Sequence, residues 1–141
     1  LFSRKDDSYD QMLGLDKFEE VLQHADVVVL TLPLTDETYH IIDGNMLTHL
    51  KDGSVLVNIA RGAIIDTDAL IRSLDRLGGV VLDVFEEEPL IQDSPLWCMN
   101  NVIITPHNSF VGNRNNRRMS DLILKNLEKR HAVNKCYHSC I

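Results

Sequence analysis

The sequence of 141 residues predicts an α/β domain whose core is a parallel β-sheet. Short apolar runs of strand length recur along the chain, and segments with the apolar spacing of helices separate them. Because strands that alternate with helices are joined by right-handed crossovers, these strands should lie parallel. The predicted strands are Val27–Pro33, Ser54–Ala60, Val80–Val84 and Val102–Thr105.

Two of these strands, Val27–Pro33 and Val80–Val84, consist of β-branched and other apolar residues at successive positions. Such runs are typical of strands that helices cover on both faces of a parallel sheet. The first residues, Leu1–Arg4, predict the end of an earlier strand, which a polar turn follows.

Capping residues mark the predicted helices. Asp16, with Glu19 three residues later, forms a candidate capping box for a helix that ends at about His24. Asp43 and Asp66 are candidate N-caps of two further helices. The second predicted helix ends at Leu50, with Gly53 after it, and the third ends at Gly78–Gly79. A long last helix is predicted from Asn113 to about Arg130.

Composition narrows the function. A net charge of −7 disfavours nucleic acid or an anionic membrane as the main partner. No apolar run approaches the length of about 20 residues that spans a bilayer. Three cysteines without a framework spacing favour reduced thiols and a cytoplasmic protein. We expect no metal site, because no standard zinc pattern fits the spacing of His131, Cys136, His138 and Cys140.

Polar side chains follow three of the predicted strands at the point where each strand ends. These are Arg61, the acidic segment Asp83–Glu88, and His107. Ligands of open parallel sheets bind beyond the carboxyl ends of the strands, so these residues should share one site. Arginine can hold a carboxylate through two hydrogen bonds, and histidine beside an acid can exchange a proton near neutral pH. The alternatives are a surface salt bridge for Arg61, a capped strand end for His107 and a solvated loop for the acidic segment.

Five segments of the chain, in this order, resemble one enzyme family. That family is the D-isomer-specific 2-hydroxyacid dehydrogenases, and the similarity runs from about Phe18 to about Leu127. The segments that carry it are Leu32–Thr35 with Thr38, Asn58–Gly62 with Asp66, Leu82–Pro89, Asn101–Val102 and Thr105–His107.

The resemblance implies a role for each catalytic residue. Arg61 corresponds to the arginine that binds the carboxylate and carbonyl of a 2-oxo acid. His107 corresponds to the general acid, which protonates the carbonyl oxygen as hydride arrives and takes that proton back during oxidation. Glu88 corresponds to the acid that orients His107 and favours its protonated form. Asp83 corresponds to the residue that holds the nicotinamide carboxamide.

The resemblance also implies an NAD(P) cofactor, a small 2-oxo or 2-hydroxy acid substrate and, for the complete protein, a homodimer. Further cofactor-binding candidates are Leu32, Pro33 and Ala60. Glu86 and Glu87 are interpreted as solvated loop residues.

The residues that end the first predicted strand bear on the choice of cofactor. Ser3 followed by Arg4 suits the 2′-phosphate of NADP, so the sequence slightly favours NADP over NAD. If the strand register is shifted, Asp6 or Asp7 takes that position instead.

The family's glycine-rich fingerprint, G-x-G-x-x-G, does not occur in the 141 residues. In the strand order 3-2-1-4-5-6, its strand would lie between the strand ending at Arg4 and the strand from Ser54. We therefore expect an incomplete Rossmann-like doubly wound sheet, without the first βα unit and with two exposed strand edges. Residues 1–130 would form a partial NAD(P)-binding domain and residues 131–141 a carboxyl-terminal tail.

A chain of this kind should be the carboxyl-terminal part of a dehydrogenase and inactive by itself. One alternative is a non-catalytic dinucleotide-binding sensor or corepressor-like module. Another is a decayed gene product with residual folding.

Overall fold

The computed structural model describes residues 17–108, residue 112 and residues 114–138, with side chains described as far as residue 126 in the last helix. The chain divides after Asn108 into two compact units. The strand end predicted at Leu1–Arg4, the polar turn after it and Asp16 all lie outside the described residues.

The first unit contains a four-stranded sheet in the order β1-β2-β3-β4, in which every neighbouring pair is parallel. This confirms the predicted α/β architecture. The strands are β1 (Val27–Leu30), β2 (Val55–Asn58), β3 (Gly79–Leu82) and β4 (Val102–Ile104). The helices of this unit are α1 (Phe18–His24), α2 (Gly44–His49) and α3 (Thr67–Ser73), and short 3₁₀ turns cover Gly62–Ile64, Leu74–Arg76 and Pro95–Cys98.

Two predicted helix caps are confirmed. The Asp43 side chain accepts a hydrogen bond from the Met46 amide at 2.8 Å, and Asp66 accepts one from the Ala69 amide at 2.9 Å. Each bond satisfies a backbone donor that the first turn of a helix otherwise leaves without a partner. The chain after α3 tightens into a 3₁₀ turn instead of continuing as α-helix to Gly78.

The core lies on one face of the sheet. The alternate residues of β1, β2 and β3 point to this face and pack with side chains from α1, α2 and α3. These alternate positions share rows across the sheet, because the register pairs Val28 with Leu56 and Leu56 with Val80. The most buried apolar side chains, at 2% exposure or less, are Leu22, Ile42, Leu47, Leu50, Leu56, Ile64, Ile65, Ala69, Leu70, Leu74, Val80, Val84 and Leu96.

The prediction that β1 is buried on both faces is wrong for the described unit. Val27 is 56% exposed and Val29 is 51% exposed, and Ile103 in β4 is 61% exposed. These side chains point to the face opposite the core, since successive residues of a strand alternate between faces. Within residues 17–108 the helices cover only the other face.

The expected position of a gap beside the strand from Ser54 is also wrong. β2 pairs with β1 on one side and with β3 on the other, so it is an inner strand. A single helical crossover through α2 is enough to bring the consecutive strands β1 and β2 side by side. In the described part of this unit, the strand edges without a strand partner belong to β1 and β4.

The second unit contains one described helix, α4 (Asn115–His138), which continues beyond its predicted end at about Arg130. Its described apolar side chains Met119, Leu122, Ile123 and Leu124 are between 45% and 61% exposed. Among the helices that the structure describes, none combines the length and apolarity needed to cross a membrane.

Candidate active site

The candidate residues of the first unit lie along the carboxyl edge of its sheet. Arg61 comes three residues after β2, Asp83 directly follows β3, Glu88 lies in the loop beyond it, and His107 comes three residues after β4. Parallel strands bring their carboxyl ends to the same edge, which explains how residues far apart in the chain reach one region.

His107 and Glu88 are in direct contact. The His107 Nδ1 atom lies 2.7 Å from Glu88 Oε2, and Glu88 Oε1 accepts a hydrogen bond from the Phe85 amide at 3.0 Å. Both carboxylate oxygens are therefore engaged, which fixes the orientation of the Glu88 side chain. Because Nδ1 is held by Glu88, Nε2 is the ring nitrogen that can exchange a proton with another molecule.

The Glu88 carboxylate is stabilised in its ionised form. The hydrogen bond with His107, followed by the one from the Phe85 amide, lowers the pKa of Glu88 below its usual range, despite the opposing effects of burial and of the nearby Asp83. An ionised carboxylate accepts a strong hydrogen bond, so Glu88 holds the His107 ring in one orientation.

Asp83 supports the segment that carries His107. Its side chain is buried, at 1% exposure for the residue. Oδ1 accepts hydrogen bonds from the Thr105 hydroxyl at 2.5 Å and from the Asn108 amide at 2.9 Å, on either side of His107 in the chain. His107 itself has a φ of 50°, an uncommon left-handed backbone for a residue with a side chain. The contacts of Asp83 thus brace an unusual turn.

The Arg61 backbone is held from the core side by Asn58, a fully buried side chain. The Asn58 amide nitrogen donates to the Arg61 carbonyl at 2.9 Å, and its oxygen accepts from the Ala60 amide at 3.1 Å. The Arg61 guanidinium donates through Nη1 to the Ala60 carbonyl at 2.7 Å. Asn58 is predicted from the sequence only as part of a motif, although an asparagine at the end of an apolar strand is a signal for this role.

Gly62 allows the Arg61 turn to pack against the acidic loop. A Cβ atom on Gly62 would lie 1.8 Å from the carbonyl carbon of Phe85 and 2.3 Å from the Glu86 nitrogen. No side chain fits there, so glycine is required by space. The backbone around Arg61 and the loop between Asp83 and Glu88 are therefore in direct contact.

The loop after β1 has a fixed shape. The Thr38 hydroxyl donates to the Pro33 carbonyl at 2.7 Å and accepts from the Thr35 amide at 2.8 Å. Thr38 is 8% exposed, so this hydroxyl anchors the loop from inside. Leu32 and Ala60 lie at the same carboxyl edge, whereas Ser3 and Arg4 are outside the described residues.

The interpretation of Glu86 as a solvated loop residue leaves out its contacts, although the residue is exposed. One of its oxygens contacts His40 Nε2, and the other accepts a hydrogen bond from the Thr67 amide. Its neighbour Glu87 is exposed. Periodicity could not separate these two acids, because the partners of Glu86 come from segments distant in the chain.

A comparison with known sequences decides the family. Residues 2–109 match the profile of the D-isomer specific 2-hydroxyacid dehydrogenase NAD-binding domain. The chain belongs to this family. The family resemblance drawn from the motifs is thereby confirmed, and the match to the NAD-binding domain covers the first unit from residue 2.

Relatives of known sequence and structure agree with this assignment. A glyoxylate reductase from Pyrococcus horikoshii is 42% identical over 111 residues, which are 77% of this chain and 33% of the relative. A D-isomer specific 2-hydroxyacid dehydrogenase from Xanthobacter autotrophicus Py2, in complex with NADPH and MES, is 40% identical with a TM-score of 0.68, over 72% of this chain and 33% of that one.

A third relative holds the other dinucleotide. The D-lactate dehydrogenase from Aquifex aeolicus, complexed with NAD and lactic acid, is 34% identical with a TM-score of 0.65, over 79% of this chain and 38% of that one. These structures confirm the Rossmann-like fold. The present chain spans less than two fifths of the length of each of these three proteins.

The residues at the carboxyl edge fit the nicotinamide half of such a cofactor. Ala60 is small and buried, Pro33 lies in a loop fixed by Thr38, and the buried carboxylate of Asp83 lies at the end of β3. A flat ring needs small neighbours at its face, and its carboxamide needs a polar partner. The fingerprint that would bind the pyrophosphate is not among the 141 residues, so this fit concerns the nicotinamide side alone.

Proposed function

We propose that this chain supplies the catalytic residues of an NAD(P)-dependent dehydrogenase that interconverts 2-oxo acids and D-2-hydroxy acids. The observation that carries the proposal is the 2.7 Å contact between His107 Nδ1 and Glu88 Oε2 at the carboxyl edge of the sheet. It supports a proton donor whose ring is oriented by Glu88 and whose second nitrogen, Nε2, can exchange the proton.

Each residue has a part in the reaction. Arg61 binds the substrate carboxylate and sets which face of the carbonyl is presented. The bound dinucleotide supplies or accepts the hydride. His107 donates a proton through Nε2 to the carbonyl oxygen, where negative charge develops during reduction, and removes it during oxidation. Glu88 stabilises the imidazolium, and Asp83 fixes the turn that places it.

The preference for NADP over NAD is part of the proposal. It rests on Ser3 and Arg4, and related structures hold either NADPH or NAD. We expect NADPH to bind more tightly than NADH. Intrinsic-fluorescence titrations of the product of the longest reading frame that contains this chain give the dissociation constant of each dinucleotide. Arg4→Asp should reverse the preference. An unchanged preference in that variant would locate the selectivity elsewhere.

The activity is tested with two proteins. Both the 141-residue chain and the longest reading frame that contains it are assayed with NADH and NADPH against glyoxylate and a series of larger 2-oxo acids. We expect reduction by the product of the longer reading frame, which is called the active enzyme below, and none by the chain alone. Turnover by the chain alone contradicts its inactivity, and binding of dinucleotide by the longer product without any reduction favours the sensor-like alternative.

Replacing Glu88 by Gln should change the pH dependence of the active enzyme. The lowered pKa of Glu88 keeps this carboxylate ionised through the neutral range, so it presents a full negative charge to His107 there. Reduction needs a proton from His107, so the decline of its rate at high pH should begin at a lower pH in the variant, where that negative charge is gone. We expect a loss of roughly tenfold at pH 8 and little loss at pH 6. Steady-state kinetics between these values provide the measurement, with Glu87→Gln as the control. A superimposable profile would remove Glu88 from the proton transfer.

A further inference from the structure

A second histidine–glutamate pair lies in the same unit, apart from His107 and Glu88. The Nε2 atom of His40 lies 2.5 Å from Glu86 Oε1, and the Thr67 amide donates to Glu86 Oε2 at 2.9 Å. The two side chains of the pair are each 29% exposed, although Glu86 as a whole residue is exposed. One carboxylate therefore joins the end of the loop after β1, the start of α3 and the loop after β3.

The segment enclosed by these contacts is the Arg61 turn. The His40 amide donates to the Ala63 carbonyl at 2.9 Å, which attaches the loop after β1 to one side of this turn. On the other side, Gly62 packs on the backbone between Phe85 and Glu86. His40 contacts one side of the Arg61 turn, and the backbone at Glu86 contacts the other side. The contact between the His40 and Glu86 side chains therefore links the two segments that enclose the turn.

The backbone conformation of His40 and the charge of Glu86 both support a fixed contact between the two side chains. His40 has a φ of 48°, in the left-handed region, and its ring stacks on Tyr39 with centroids 4.0 Å apart. Burial, the largest single influence, raises the pKa of Glu86, but the hydrogen bonds from Thr67 and His40 outweigh it and lower the pKa overall. A partly buried carboxylate is thus kept charged by its two partners.

We propose that His40 and Glu86 form a positioning pair that holds the backbone of Arg61 in place for the substrate carboxylate. The inference rests on the proposed function, since it takes Arg61 as the carboxylate-binding residue. The pair acts through the Gly62 contact and the Ala63 carbonyl and takes no part in proton transfer. A carboxylate held by two hydrogen bonds needs an arginine of fixed position, so small displacements of this backbone weaken binding.

Hydrogen–deuterium exchange of the 141-residue chain tests the structural half of the inference. In Glu86→Ala, the amides of residues 61–67 should exchange about fivefold faster, because the turn loses the hydrogen bonds that tie it to the neighbouring loops. Amides of β2 and β3 should keep their rates, which reports that the sheet remains folded. Glu86→Gln retains an acceptor for the Thr67 amide and should show a smaller change. Glu87→Ala, an exposed neighbour, is the matched control.

Kinetics of the active enzyme test the functional half. Glu86→Ala should raise KM for the 2-oxo acid about tenfold and leave kcat within about twofold, with partial recovery in Glu86→Gln. Unchanged exchange in residues 61–67 overturns the inference, and so does faster exchange with an unchanged KM. Absence of turnover in the unsubstituted enzyme overturns the proposed function instead, and the exchange result then stands on its own.

Discussion

Replacing His107 by Asn in the active enzyme should lower kcat for 2-oxo acid reduction by about 10²–10⁴-fold, the usual contribution of a general acid. Asparagine is the informative substitution, because His107 has a φ of 50° and asparagine tolerates the left-handed backbone. Its side-chain amide can also donate to Glu88 in place of Nδ1. The variant thus keeps the turn and loses the transferable proton.

Single-turnover and steady-state kinetics with NADPH separate this loss from a loss of binding. We expect the dissociation constant of the dinucleotide to change by less than about threefold, since His107 acts on the substrate oxygen. His49→Asn is the matched control, because His49 is on α2, which leads into the amino end of β2, and so lies away from the candidate site. Near-normal kcat in His107→Asn would assign the proton transfer to another group.

The site could be anticipated because chain order places residues at the sheet edge. Once the apolar runs are assigned as parallel strands, the residues after β2, β3 and β4 must meet on one side, whatever their separation in sequence. The caps at Asp43 and Asp66 were equally accessible, because a capping side chain bonds within its own first turn.

The sequence could not show contacts between loops. Glu86 and Glu88 stand two residues apart, yet one contacts His40 and the other contacts His107. Their partners depend on how two loops fold over the sheet edge, and no periodic pattern carries that information. The sequence therefore did not show the contacts of Glu86 with His40 and Thr67.

Strand order was hidden for a related reason. The apolar runs predict strands and a parallel sheet. They do not predict which strands are neighbours, because both edges of a strand present the same backbone groups. The structure pairs β1 directly with β2, and this pairing joins residues that lie far apart in the chain. Exposure of Val27 and Val29 has the same origin, since a run that is apolar on both faces does not say which element covers each face.

The second large effect is expected from Gly62→Ala. The added Cβ would lie 1.8 and 2.0 Å from the carbonyl carbon and oxygen of Phe85, distances at which atoms cannot coexist. These atoms belong to the backbone, so no side-chain rotation relieves the clash, and the two loops must separate. We expect the free energy of unfolding to fall by about 3 kcal/mol, the upper part of the range for overpacked sites.

Urea unfolding of the 141-residue chain measures this cost, with Gly44→Ala as the matched control. A Cβ on Gly44 would meet only the Ala69 side chain at 3.7 Å, an ordinary contact, at the first position of α2. That variant should be as stable as the parent or gain a few tenths of a kcal/mol from reduced freedom of the unfolded chain. Equal stability of both variants would mean that the Arg61 turn and the Phe85 backbone are not in contact.

The same substitution should affect catalysis more than stability alone predicts. Separating the two loops moves Arg61 on one side and the segment that holds Glu88 on the other, so the carboxylate-binding group and the support of His107 shift together. A displacement of about 1 Å can cost on the order of 100-fold in rate. We expect kcat/KM of the active enzyme to fall by at least that factor at a temperature where the variant is still folded. A loss confined to KM would show that only the Arg61 side had moved.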